Sequence, residues 1–203
     1  MGRLANSAVG GTCRNVSDKE PEPFTLVTVT NTMARHGVRY VLVGGVSGML
    51  HGMTEYRTKD IDLLILDEAA NRERLALAMN ELSARPLRSS DQRRITGDDF
   101  TVGSTQWSTD AGDVDILISA TGPNETFVVY ADIERGEEYI ELTDGQLVPV
   151  ASLADLIRMK EAADRHKDHL ALPELRRLRC DADPHQTTGY DPFGTFDIED
   201  GAD

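Results

Sequence analysis

Aromatic residues are scarce in this 203-residue chain, at 5%, so the core must be built from aliphatic side chains. Trp107 and the dispersed Tyr and Phe residues form no platform for a run of stacked single-stranded bases. Long apolar runs are missing too. Tyr40–Val43 and Ile61–Leu66 fall far short of the ~20 residues that a membrane-spanning helix needs. The N-terminus has no continuous apolar segment of the secretory kind, and Asn6 stands where a myristoylation signal needs Ser or Thr. The expectation is a cytoplasmic chain with no membrane partner. Cysteine is limited to Cys13 and Cys180, in opposite flanks and without a histidine framework, which predicts free thiols and excludes a disulfide scaffold. His166 and His169 have no third ligand nearby and no HExxH pattern, so zinc is not indicated.

Positive charge is also short: 21 Lys and Arg face 35 Asp and Glu, for a net −14. A balance of that sign disfavours a polyanionic partner, but the deficit is unevenly spread. Beyond Cys180 the chain has seven acids and no Lys or Arg, which is half of the total, whereas Arg158–Arg179 carries seven basic residues against four acids. That stretch reads either as a locally basic helix pair or as a solvated helix face of mixed charge.

The length suits one domain. Residues 1–22 and 181–203 lack periodicity and mix Gly, Pro and acids, which predicts disordered extensions around a domain spanning 23–180. Within it, Phe24–His36 reads as a helix closed by Gly37, and Tyr40–Val43 as a buried strand. A short helix follows over Val46–His51, then a loop over Thr54–Lys59, a second strand over Asp60–Leu66 and a helix over Glu68–Ala84. Weak strands are expected in Arg94–Gln106 and a half-buried strand over Asp113–Ser119. Asn124–Glu134 is ambiguous. Tyr139–Val150 suggests a hairpin around Asp144-Gly145. Ser152, with Asp155 three residues on, opens a helix by a capping pattern; that helix should run toward Lys167, with a second segment restarting at Pro173.

The chemistry concentrates in Tyr40–Leu66. Gly44 and Gly45 sit between a strand and a helix, where absent side chains and unpaired N–H groups allow close approach of an oxyanion, and Ser47 adds a hydroxyl. A plain tight turn is the competing reading. Asp60 and Asp62 are two apart on a strand, so both carboxylates face one way while Ile61 and Leu63 face the core. Carboxylates so placed repel unless a cation lies between them, and magnesium favours carboxylate oxygens together with phosphates and water; a turn-capping Asp60 beside an exposed Asp62 is the alternative. Asp115 repeats the apolar-acid-apolar pattern on another strand, with Asp113 as its competitor. Arg57 is placed to reach a phosphate, and Thr58 shares the face of the acid pair if the strand extends that far. His51 reads as a packed or capped histidine.

Gly44-Gly45, the Asp60-Ile61-Asp62 triplet beginning fifteen positions after Gly45, and the later Asp115 together resemble the signature of polymerase-beta-type nucleotidyltransferases. More narrowly, Val43–Leu66 and Leu153–Leu170 resemble AbiEii-type (MenT-like) toxins of bacterial toxin-antitoxin systems. The resemblance implies an α/β (α+β) fold, a mixed β-sheet flanked by helices with further C-terminal helices. It implies Asp60, Asp62 and Asp115 as ligands of magnesium, or of manganese in its place, and a nucleoside triphosphate such as ATP as substrate. Lys160 and Asp168 match the lysine and downstream acid of such toxins, with Arg165 beside them; Lys160 suits a phosphate, Arg165 can grip a second oxygen pair, and Asp168 can orient either. In one continuous helix, Lys160, Asp164 and Lys167 would share a face from which Arg165 is displaced. The implied acceptor is the 3′ end of tRNA, with a cognate antitoxin as restraining partner. Transfer to a protein or small-molecule hydroxyl, and a catalytically silent nucleotide-binding or antitoxin module, are the competing functions.

Overall fold

Alternation along the strands decides which face of the sheet each side chain meets, and in this chain it separates a mainly apolar face from one that carries acids. The computed structural model describes residues 23–55, 58, 60–88, 93–101, 103–133 and 138–182. The expected extension at 1–22, Arg57, and the tail from 183 onward lie outside them. Helix α1 (Pro23–Arg35) closes at Gly37, whose φ of +64° is the left-handed turn anticipated there. Strand β1 (Tyr40–Val43) leads into α2 (Gly44–Leu50), β2 (Asp60–Ile65) and α3 (Ala69–Glu81). A 3-10 turn at Gly97–Phe100 precedes the hairpin of β4 (Ser104–Thr109) and β5 (Gly112–Leu117), with the two-residue β3 (Arg85–Pro86) on its outer side. The weak strands expected over Arg94–Gln106 are therefore one turn and one strand displaced toward Thr109.

Strands β6 (Ser119–Thr121) and β7 (Phe127–Val129) form a separate two-stranded ribbon that leads into α4 (Tyr130–Ile133). The ambiguous Asn124–Glu134 region is thus a turn, a strand and a short helix as far as Ile133, the last described residue in it. Strands β8 (Glu138–Glu141) and β9 (Leu147–Val150) make the expected hairpin. The main sheet has the order β3-β4-β5-β2-β1-β9-β8. β2 with β5 and β1 with β9 run parallel, and the remaining neighbours are antiparallel. The fold is thus a mixed sheet flanked by helices, as expected.

On one face Tyr40, Leu42, Ile61, Leu63, Ile65, Val114 and Ile116 pack with Val29, Met33, Leu75 and Met79 of α1 and α3. On the other, Val41, Val43 and Leu64 pack with Leu156, Ile157, Ala171, Leu172 and Leu175. These last five belong to α5 (Leu153–Ala163) and α6 (His166–Ala182). Asp60 and Asp62 keep step with Leu64 on β2 and therefore lie on the face that α5 and α6 cover.

Two expectations about these helices are corrected. Helix α5 does not run to Lys167: it stops where Asp164 turns left-handed at φ +49°. Nor does a helix restart at Pro173, which lies inside the unbroken α6; that helix includes Asp181 and Ala182, the first two residues assigned to the tail. The cap at Ser152 forms as expected, its Oγ accepting from the Asp155 N–H at 3.2 Å.

Candidate active site

Strand pairing, rather than proximity in sequence, assembles the acids. β2 and β5 are parallel neighbours with Asp60 opposite Asp113 and Asp62 opposite Asp115, so all four carboxylates emerge on one face. Of the four, Asp62 and Asp115 line the cleft above them, and Asp60 and Asp113 do not. Its volume is about 290 Å³, and its walls include Gly44 from the β1–α2 turn, Lys160 and Met159 from α5, Arg165, and Ser119 and Thr121 from β6. Gly45, Ser47, Asp60 and Asp168 are not among its lining residues.

The turn is shaped by what it must admit. Gly44 has φ +69°, and a Cβ built on it would stand 2.1 Å from Asp62 Oδ2 and 2.7 Å from its Cγ. Only glycine lets the backbone lie against that carboxylate. A Cβ on Gly45 would come within 2.7 Å of Thr58 Cβ, so the second glycine receives Thr58 instead. Ser47 is fully buried, and its Oγ has no hydrogen-bond partner among the described residues. His51 is packed as expected, its Nε2 lying 2.8 Å from the Ala151 carbonyl oxygen.

The acids strain against one another. Burial, reinforced by the charges of Asp115 and Asp60, pushes the Asp62 carboxyl up to about 7, against the pull of Lys167 and Lys160. Burial also raises Asp115, opposed by a hydrogen bond from Gln106 Nε2 at 3.2 Å and aided by Asp60. Among the described residues no group of three or more His, Cys, Asp or Glu is gathered tightly enough to hold a metal ion by itself. Nevertheless the donor set suits magnesium or manganese: hard carboxylate oxygens on one face, with Asp62 and Asp115 raised chiefly by burial and further by neighbouring carboxylate charge, a cost that a cation would relieve. Gly44 seats the Asp62 carboxylate at the cleft, whereas the Ser47 hydroxyl is fully buried and is not among the cleft walls.

The break at Asp164 brings the cations together. Asp168, fully buried in the first turn of α6, accepts from Lys160 Nζ at 3.2 Å, from Arg165 Nε at 2.7 Å and from the Arg165 backbone N–H at 3.3 Å. Burial works to raise its carboxyl, but the Arg165 hydrogen bond and the Lys160 charge outweigh it and hold the group below the usual carboxylate range. The anticipated grouping of Lys160, Asp164 and Lys167 on one helix face does not exist, because the face is interrupted at Asp164. Lys160 and Arg165 share Asp168 instead.

Two contributors are absent from the sequence expectations, and a third, Lys167, enters them only as a residue of one helix face. Gln106 faces Asp115 across the β4–β5 pairing, in a strand whose limits were misread. Lys167 carries charge felt by both Asp62 and Asp115. Glu174 is buried and accepts from the Thr54 N–H at 2.7 Å, Thr54 Oγ1 at 3.1 Å and the Glu55 N–H at 2.9 Å. It thereby ties α6 to the loop that enters β2. Its signal in the sequence was an acid in the apolar stripe Ala171, Glu174, Leu175.

No protein-family model matches the chain, and no curated protein matches it. Among solved structures, it is similar to the lincosamide antibiotic adenylyltransferase LnuA in its lincomycin-bound form. The TM-score is 0.53 and the identity 14%, over 76% of this chain and 96% of that one. It is also similar to the antibiotic-resistance factor ANT(2'')-Ia, with a TM-score of 0.47 and 16% identity over 79% of this chain and 83% of that one. The likeness to LnuA shows that the two chains share a fold.

Proposed function

We propose that the chain is a magnesium-dependent nucleotidyltransferase that moves a nucleoside monophosphate from a nucleoside triphosphate to an acceptor hydroxyl and releases pyrophosphate. The observation that carries this reading is the pairing of Asp62 with Asp115 across β2 and β5, in a cleft they share with Gly44, Lys160 and Arg165. Asp60, Asp62 and Asp115 would hold the metal. Magnesium, when bound, supplies charge neutralisation on the triphosphate and acidifies the attacking hydroxyl. The backbone at Gly44 and Gly45 is assigned to the phosphate oxygens; Ser47, the third residue expected there, is fully buried and stands behind that turn. Arg57, on the approach to β2, is assigned to the same phosphates.

Lys160 and Arg165 neutralise the opposite side of the triphosphate. Asp168 fixes both so that no reorganisation accompanies reaction. The acceptor oxygen forms a bond to the α-phosphorus as the bond to the bridging oxygen of the pyrophosphate breaks, and the acceptor proton passes to Asp115. Manganese would serve in place of magnesium, having the same preference for oxygen ligands.

For the acceptor we infer the 3′ end of tRNA. This follows the resemblance of Val43–Leu66 and Leu153–Leu170 to AbiEii-type toxins, and it makes the chain the toxin of a pair with a separate antitoxin. The fold shared with LnuA motivates the competing reading, in which a small-molecule hydroxyl such as that of an antibiotic takes the nucleotide. Incubation with labelled nucleoside triphosphates, magnesium and either total RNA or a panel of hydroxylated antibiotics separates the two. Labelled RNA that disappears in Asp62→Ala and Asp115→Ala is the expected result. Label on an antibiotic alone would overturn the RNA acceptor, and no label on any acceptor would overturn the transferase.

A further inference from the structure

The hairpin of β4 and β5 turns through Asp110 and Ala111, between the paired Thr109 and Gly112. So short a turn fixes the register of the two strands, and that register sets Gln106 opposite Asp115. Asp115 is in turn opposite Asp62 on β2. Gln106, Asp115 and Asp62 therefore form one row across neighbouring strands, with their side chains on the face that carries the acids. In the next row Ser108 is opposite Asp113, and Asp113 is opposite Asp60. The Gln106 carbonyl oxygen accepts from the Leu87 N–H at 2.9 Å, so its backbone groups point to the β3 side and away from β5. Gln106 and Asp115 are thus a non-hydrogen-bonded pair, the kind in which facing side chains lie closest.

The contact that results is the hydrogen bond from Gln106 Nε2 to Asp115 Oδ2 at 3.2 Å. An ionised carboxylate only accepts, so the amide must turn its nitrogen to it. Like charge on Asp62 pushes the Asp115 carboxylate toward β4, and Gln106 supplies a donor where the displaced oxygen arrives. It does so without charge. A Lys or Arg at this position would make the same contact but would neutralise the acids in advance and compete with a cation for them. Gln106 is exposed, whereas its neighbour Trp107 is buried in the core of the opposite face. The fold therefore gains little from the Gln106 side chain itself.

Resting on the transferase reading above, we propose that Gln106 is a positioning residue that holds Asp115 as a metal ligand: the amide fixes one carboxylate oxygen and leaves the other for the cation that Asp115 shares with Asp62. Gln106 itself touches neither the nucleotide nor the reacting phosphorus. A group that orients a metal ligand from outside is worth ~10-fold or more in metal affinity. Ser108 stands in the same relation to Asp113, which does not line the cleft, and has no such role.

The test is a manganese titration of the full chain without nucleotide, followed by the electron paramagnetic resonance signal of the free ion. Gln106→Met keeps the length of the side chain and removes the donor; it should weaken manganese binding by ~10-fold. Gln106→Lys keeps a donor and adds charge, and should weaken binding further. Ser108→Ala should match wild type. In nucleotide transfer, Gln106→Met should lower kcat with little change in KM for the triphosphate, while its urea midpoint stays that of wild type. In the metal-free, isotope-labelled chain, the NMR signal of the Gln106 side-chain amide should move with Asp115→Asn far more than with Asp113→Asn. Wild-type manganese affinity or wild-type kcat in Gln106→Met, an equal loss in Ser108→Ala, or an amide signal indifferent to Asp115→Asn overturns the role of Gln106 and leaves the transferase reading standing. A wild-type chain that takes up no manganese overturns the metal site, and the role of Gln106 with it. One that binds manganese in the expected order of variants but transfers no nucleotide overturns the transferase and upholds Gln106 as the support of Asp115.

Discussion

Gly44 and Gly37 form a matched pair for testing whether the glycine turn serves the acids. Both have a left-handed backbone, at φ +69° and +64°. Alanine at either position meets a conformational penalty of about 1–2 kcal/mol, partly offset by a less flexible unfolded chain. The two differ in what the new methyl meets. At Gly37 the nearest atom is Arg74 Cδ at 3.7 Å, an ordinary contact, whereas at Gly44 it is Asp62 Oδ2 at 2.1 Å, with Cγ at 2.7 Å and Cβ at 3.1 Å.

Relief at Gly44 requires the Asp62 carboxylate to swing by more than an ångström, because it is the mobile partner and the turn is fixed by β1 and α2. Urea denaturation should therefore find Gly44→Ala and Gly37→Ala within about 1 kcal/mol of each other, since the backbone cost is common to both. Nucleotide transfer at fixed magnesium should fall ~100-fold or more in Gly44→Ala, as a misplacement of about 1 Å in a reacting constellation does. In Gly37→Ala it should be unchanged. A folded Gly44→Ala chain with activity within a few-fold of wild type, or an equal loss in Gly37→Ala, would refute the idea that the turn exists to seat Asp62.

Asp168→Ala removes the buried carboxylate that Lys160 and Arg165 share and should destabilise the chain by about 3 kcal/mol in chemical denaturation. Because the Asp168 carboxyl is held below its ordinary value, its stabilisation is complete above the unfolded carboxylate pKa of about 3.9 and is lost as pH falls through the lower folded value. Acid titration of Asp168→Asn should accordingly show a shallower loss of stability below pH ~4 than wild type. Asp62 has the opposite sign: with its carboxyl pushed up to about 7, it lowers the stability of the metal-free chain as pH rises from the ordinary carboxylate range to neutrality. Asp62→Asn in EDTA should therefore be more stable than wild type at neutral pH and should gain nothing from magnesium; equal stability, or a retained magnesium response, would contradict the electrostatic account. Glu174→Gln should speed amide hydrogen exchange at Thr54 and Glu55, because the amide side chain cannot accept both N–H groups as the carboxylate does; unchanged exchange would release the loop from Glu174.

Period-two alternation and glycine chemistry were enough to read β1, β2, β5 and the acids they carry, because a buried strand advertises both its faces in sequence. The choice of Asp115 over Asp113 was not settled by alternation, since both lie on the same face. It depends on where the cleft opens, which is a matter of packing by α5 and β6. Helical spacing alone sets Arg165 apart from Lys160, whereas the resemblance groups both with Asp168, where the structure places them. Helical spacing assumes an uninterrupted helix, and an aspartate in a left-handed conformation leaves no clear mark in composition. Gln106 and Glu174 act through partners 9 and 120 residues away, and no local pattern encodes such distances.

Five residues of regular helix rotate a side chain by about 140°, so Lys160 and Arg165 on a straight rod would look away from each other. The left-handed Asp164 acts as a crank in that rod and delivers both to one carboxylate. A substitution that straightens the crank would disarm the cleft with every charged residue still present. For that reason, counting matched residues in a distant relative is a poor guide to whether it works.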